Sequence, residues 1–189
     1  MSVILLVADS GLGKTTACRR VVDLARANGL RAAGLLSLPV YEGQARIAIS
    51  LHDVATGQER ILARANGSGD GSRVGIWMFE PDVLGWGRNI LASLPDCDLI
   101  IIDEIGPLEI EMRQGLTNAL DVLNKVGYGV AVVTLRPSLV QALMTSLGSR
   151  EISTVFLTGE NRDGIPATIL RRLGEKATTK VLLDDIVTR

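Results

Sequence analysis

The apolar run Val3-Ile4-Leu5-Leu6-Val7 passes directly into Ala8-Asp9-Ser10-Gly11-Leu12-Gly13-Lys14-Thr15, and this junction leaves the chain little choice of fold. The run has the length of a buried strand. The glycines let the following backbone curl so that its N–H groups point inward around phosphate oxygens. Lys14 supplies a point charge for the β- and γ-phosphates, and the Thr15 hydroxyl is placed to ligate magnesium. A helix beginning near Lys14 turns its positive N-terminal end on the same anion. Ser10, Gly11, Leu12, Gly13, Lys14, Thr15 and Thr16 are therefore the candidate phosphate-binding residues. Ala8 stands where such loops usually begin with glycine; the phosphate-facing Gly11 and Gly13 are intact.

Composition narrows the class further. With 189 residues and 47% hydrophobic content, the chain is expected to fold as one domain over 1–189 with a proper core. A net charge of -1 and the lack of any long Lys/Arg run argue against nucleic acid as a partner. Cys18 and Cys97, the two cysteines, match no metal spacing and suit reduced packing residues. No apolar stretch is long enough to span a bilayer, and the first has no basic region ahead of it. No membrane association and a cytoplasmic location are the expectations.

Strand and helix patterns alternate along most of the sequence. Thr15–Asn28 has helical spacing and stops at Gly29, and Arg31–Leu38 is a strand broken by Pro39. From Val40 to Ile76 the pattern becomes that of an antiparallel hairpin, with a turn near Thr56-Gly57 and a flexible loop over Asn66–Ser72. Val74–Phe79 resumes strand character. Helices are expected from Pro81 to Leu94, Glu111 to Lys125, Pro137 to Leu147 and Gly164 to Leu173. Strands are expected over Leu99–Ile102, Gly129–Leu135 and Ile152–Leu157. Thr178–Thr188 suits either a helix or an edge strand. The whole describes an α/β sheet with helices on both faces.

Asp103-Glu104 closes the apolar strand Leu99–Ile102. An Asp at the carboxyl end of a strand neighbouring a phosphate loop accepts from the magnesium shell. A carboxylate one residue later is placed to orient and deprotonate a water attacking the γ-phosphate. Side chains alternate along a strand, so both reach one site only if the chain leaves the strand there. Gly106-Pro107 provides for such a turn. Glu109 and Glu111 suit the first turn of the next helix.

These residues also carry a resemblance. Asp103-Glu104-Ile105-Gly106-Pro107-Leu108-Glu109 resembles the Asp-Glu-Ile-Gly-Lys-Met-Glu signature of THEP-type nucleoside-triphosphatases. Gly34-Leu35, Val74-Gly75 with Phe79-Glu80, Val132-Val133-Thr134 and Thr158-Gly159-Glu160-Asn161-Arg162-Asp163 resemble further elements of that family, in the same order. The likeness extends over residues 3 to 172. It implies hydrolysis of ATP, GTP and other nucleoside triphosphates to the diphosphate, with magnesium and loose base preference. It also implies a three-layer, RecA-like P-loop fold whose mainly parallel sheet carries an antiparallel addition. The chain departs from the family at Pro39-Val40-Tyr41-Glu42, where a Glu-Val-Arg stretch is usual, and at Pro107, where Lys is usual.

Several residues have two readings. Arg136 and Arg162 lie where the sheet's carboxyl edge should be, and would either anchor loops or stabilise charge on the γ-oxygens. Thr134 would polarise the attacking water or pack against its neighbours. Asn161 and Asp163 would contact base or ribose, or cap the next helix. Trp77 and Trp86 would stack on a base or pack. His52, within the hairpin, is not a catalytic candidate. The leading expectation is a magnesium-dependent nucleoside-triphosphatase with Lys14, Glu104 and Asp103 at its centre. A nucleotide-sensing switch whose Val40–Ser72 segment engages a partner, and a small nucleoside or nucleotide kinase, are the alternatives.

Overall fold

The protein was analysed as a computed structural model that describes residues 1–124, 127–147 and 151–175. One sheet organises them, with strands in the order β5-β6-β4-β3-β2-β7-β8-β1-β9. Five form its parallel half: β1 (Ser2–Val7), β2 (Ala32–Glu42), β7 (Cys97–Ile102), β8 (Tyr128–Leu135) and β9 (Glu151–Phe156). Four form an antiparallel wing built outward from β2: β3 (Ala45–Asp53), β4 (Glu59–Ala65), β5 (Arg73–Val74) and β6 (Trp77–Phe79).

Unbroken apolar runs make the parallel half, because its strands are covered on both faces. Val3, Leu5 and Val7 of β1 join Ile100, Ile102, Ala131 and Val133 in one core, which takes in α2 (Pro81–Ala92), α4 (Ala119–Asn124) and α5 (Val140–Ser146). Ile4 and Leu6 face the opposite core with Leu99, Ile101, Val130 and Val132. That core is closed by α1 (Lys14–Ala27) and by α6, helical over 165–175. The result is three layers, as expected.

Helix α1 ends where Gly29 adopts φ 72°, with the Leu30 N–H donating back to the Ala25 carbonyl. Pro81 occupies the first turn of α2, where its missing N–H costs nothing.

Four expectations need correction. Pro39 does not end β2, which runs on to Glu42. The partner β7 stops at Leu35, so Pro39 lies where β2 has a neighbour on one side only, a position that tolerates a missing donor. Val74–Phe79 is not one strand, because Gly75 at φ 58° folds it into the β5–β6 hairpin. The helix expected over Glu111–Lys125 starts late: a separate short helix, α3 (Pro107–Ile110), precedes that span, and within it only α4 is helical among the described residues. Arg113 and Gly115, both at positive φ (51° and 72°), interrupt it. Fourth, β7 does not lie beside β1, since β8 is inserted between them. Pro137–Leu139 forms a 3-10 turn ahead of α5. The tail that suited helix or edge strand lies outside the described residues.

Candidate functional site

All five parallel strands point their carboxyl ends to one edge, where ligands of open α/β sheets bind. The ladders continue past the strand ends. Ala8 N–H donates to the Leu135 carbonyl at 3.3 Å, Leu157 N–H to Val7 at 2.8 Å, and Ile105 N–H to Thr134 at 3.0 Å. The loops that leave this edge are thus held to one another at their roots.

The phosphate loop follows β1. Gly11 and Gly13 take φ of 83° and 95°, conformations that only glycine adopts without strain, and Gly13 is the N-cap of α1. Lys14 is 5% exposed. Its ammonium donates to the Ala8 carbonyl at 2.7 Å and the Asp9 carbonyl at 3.1 Å, which arches the side chain across its own loop.

Asp103, 1% exposed, sits at the tip of β7. Thr134 Oγ1 on the intervening strand β8 donates to its Oδ1 at 2.6 Å, and Ser37 N–H on β2 donates to Oδ2 at 3.2 Å. Ser37 Oγ donates to the Asp103 carbonyl at 2.5 Å. The Thr15 side chain also lies near enough to act on this carboxylate, so the acid faces the phosphate loop across β8. Burial raises the Asp103 pKa above the ordinary carboxylate value, against the pull of Thr134, Thr15 and Ser37. Thr134 therefore does more than pack against its neighbours. Its hydroxyl orients Asp103. Ser37 was legible only as a polar residue ending the apolar stretch Ala33–Leu36.

The chain leaves the strand at Asp103, and Glu104 then reaches the same cleft. Its Oε1 lies 3.5 Å from Arg136 Nε and 4.0 Å from Lys14 Nζ. That buried oxygen accepts no hydrogen bond among the described residues. Arg136, one of the two arginine candidates, is thereby drawn into the site. Glu109, in the first turn of α3, accepts from Gly106 N–H at 3.0 Å and Leu116 N–H at 2.9 Å. It clasps the turn that presents Glu104. Burial raises its carboxyl pKa, with those N–H donors opposing. Glu111 is exposed beyond α3.

The remaining candidates lie elsewhere. Ser10, Gly11, Gly13, Lys14, Thr15, Thr16, Glu104 and Arg136 share one cleft, whereas Asn161 and Arg162 do not line it. Asn161 Oδ1 accepts from Thr158 N–H at 2.8 Å and its Nδ2 donates to the Phe156 carbonyl at 2.8 Å, folding the loop after β9. Asp163 pairs with Arg20 at 2.6 Å. These residues flank the phosphate loop on the β9 side. Trp86 packs against the core with Arg60 over its ring, and His52 faces Glu59 in the wing. Cys18 and Cys97 are buried and free, with both thiol pKa values raised by burial, that of Cys97 to about 11. Such thiols are unreactive packing groups.

A hydroxyl and a carboxylate, both hard oxygen donors at the phosphate loop, suit magnesium completed by phosphate oxygens and water. Among the described residues no cluster of three His, Cys, Asp or Glu forms a self-contained metal cage. No described helix is long and apolar enough to cross a membrane.

Comparisons with known proteins agree with this geometry. The family described as NTPase matches residues 3–170. The chain is 30% identical over 172 residues to nucleoside-triphosphatase THEP1 of Thermofilum pendens, covering 89% of this chain and 93% of that protein. It is 31% identical over 179 residues to nucleoside-triphosphatase THEP1 of Methanosarcina acetivorans, covering 90% and 98%. In fold it is similar to a human cancer-related nucleoside triphosphatase (TM-score 0.71, 20% identity, 90% of this chain and 96% of the other). It is also similar to THEP1 from Aquifex aeolicus (TM-score 0.67, 21% identity, 92% and 99%).

Proposed function

The chain belongs to the THEP1-type family of nucleoside-triphosphatases and hydrolyses nucleoside triphosphates, and from that premise we propose how its residues divide the reaction. The backbone N–H groups of residues 10 to 15 hold the phosphate chain, and Lys14 shifts from its carbonyl partners to the β- and γ-oxygens. Thr15 and Asp103 are the residues that would hold magnesium. Held by these two side chains, magnesium would supply neutralisation of charge on the phosphate oxygens. Glu104 positions a water in line with the γ-phosphorus and takes its proton as the new P–O bond forms and the β–γ bridge breaks. Arg136 holds Glu104 in place and faces the charge that builds on the γ-oxygens. The nucleoside rests loosely on the β9 side, against the loop that Asn161 folds and Arg162 borders, which suits ATP, GTP and other triphosphates alike.

The observation that carries this reading is Glu104 Oε1, which is buried, flanked by two cations and accepts no hydrogen bond among the described residues. A carboxylate oxygen aimed into a phosphate cleft in this way is fitted to receive a water proton. Phosphate release from ATP, GTP, CTP and UTP, with magnesium and with excess chelator, tests it. Chelation should abolish turnover. Glu104→Gln should lower turnover by ~10²-fold or more, the scale of general-base catalysis, with nucleotide binding retained. Undiminished release by this variant would remove Glu104 as the base.

A further inference from the structure

The cleft does not end at the phosphates. From Ser10–Thr16 it continues past Glu104 and Pro107 and under the antiparallel wing, a single cavity of about 260 Å³. Its two ends differ in chemistry. The phosphate end is polar, whereas the wing end is walled by Ile49, Leu62, Val74, Phe79, Leu84 and Leu116. With the γ-phosphate between Lys14 and Glu104, the ribose and base trail away from Glu104. The wing end then lies on the far side of the attacked phosphorus, where the nucleotide itself does not reach.

Two aromatic residues, Tyr41 and Trp77, also line this end, and Arg46 is stacked on the Trp77 ring with Cζ 5.0 Å from its centroid. Arg46 Nε is buried and has no hydrogen-bond acceptor among the described residues. A buried donor in this condition is costly unless a ligand supplies the acceptor. The cleft's own carboxylates do not serve: Glu104 faces Lys14 and Arg136, and Glu109 accepts from two backbone N–H groups. An apolar slot with an aromatic face and one guanidinium whose Nε lacks an acceptor among the described residues has the make-up of a small-molecule site with a single orienting charge.

We propose that the wing end of the cleft is a second ligand site, which takes a small planar molecule bearing one anionic group while a nucleoside triphosphate occupies the phosphate end. The ring lies along the apolar walls by Trp77, and the anion meets Arg46. The proposal rests on the placement of the γ-phosphate given above, and the two are separable by experiment.

Isothermal titration calorimetry with 2-naphthoate, 4-hydroxybenzoate and phenyl phosphate as probes tests it, on the full chain with and without a saturating non-hydrolysable ATP analogue and magnesium. At least one probe should bind with Kd below ~1 mM and keep that affinity when the analogue is present. Arg46→Gln should weaken the probe ~10-fold, a loss of about 1.4 kcal/mol, and Arg46→Lys by less, with circular dichroism showing both variants folded. No binding by any probe, displacement by the analogue, or wild-type affinity in Arg46→Gln would each overturn the second site. Failure of the analogue itself to bind would instead overturn the placement of the triphosphate.

Discussion

The two halves of the sheet are built from opposite kinds of sequence. In the parallel half, β1, β7 and β8 are almost wholly apolar and buried on both faces. In the wing, β3 and β4 mix exposed and buried positions, and Ile47 and Ile76 stand open to solvent. In β7 and β8 the buried polar groups lie at the carboxyl tips, where Asp103 and Thr134 meet. The wing carries its distinctive group, Arg46, near the start of β3. One half is therefore a rigid mount for a fixed reaction. The other is a half-exposed surface whose outward side chains do not touch that mount.

Substitutions at the seam and on either side of it sharpen this contrast. Gly34, at φ 113°, lies against Ile101 so closely that a Cβ would meet the Ile101 carbonyl oxygen at 2.0 Å. Gly34→Ala should cost about 3 kcal/mol or more, since backbone must move, and denaturant unfolding measures it. A loss under 1 kcal/mol would show that the β2–β7 seam yields. Thr134→Val keeps the shape of the side chain but removes the 2.6 Å hydrogen bond to Asp103. It should cost about 2 kcal/mol, the range for a hydrogen bond to a charged group, and should weaken magnesium-dependent turnover in parallel.

Glu109 gives a smaller effect with a defined sign. Burial raises its carboxyl pKa in the folded chain, so the folded state holds the proton more tightly than the unfolded state does. The stability this contributes is full below the ordinary Glu value and is lost as pH rises through the folded value. Melting of wild type and Glu109→Gln across pH should show wild type gaining on the variant as pH falls from neutral. A pH-independent difference would break the assignment. Last, Ile47→Ser on the exposed face of β3 should change stability by no more than ~0.5 kcal/mol. A larger loss would mean that the wing face is structurally committed after all.

The sequence made the parallel half far more legible than the wing. Its continuous apolar runs and the Gly11–Gly13 turn are local signals, and the phosphate loop, Asp103 and Glu104 all followed from them. What escaped was long-range. The interposition of β8, which makes Thr134 the link between Asp103 and the neighbouring strand, depends on strand order, and no local pattern encodes it. The break in the helix expected from Glu111 depends on Arg113 and Gly115 at positive φ and on Glu109 reaching Leu116. Arg46 was invisible as a site residue because an arginine in an alternating strand has the same pattern whether it faces water or a cleft. Asn161 matched a family element, yet its amide is engaged within its own loop.

The two opposed cores carry one more consequence. A strand with one greasy face is held in register because slipping by a residue would turn that face to water. Strands β1, β7 and β8 lack this safeguard: both faces are greasy, and a slipped strand would bury itself equally well. What such a slip would sever is the Asp103–Thr134 contact and the close fit of Gly34 on Ile101. The polar tips are thus the index marks by which the interior strands find their alignment, and the carboxylate that faces the phosphate loop also tells the sheet where it must stop.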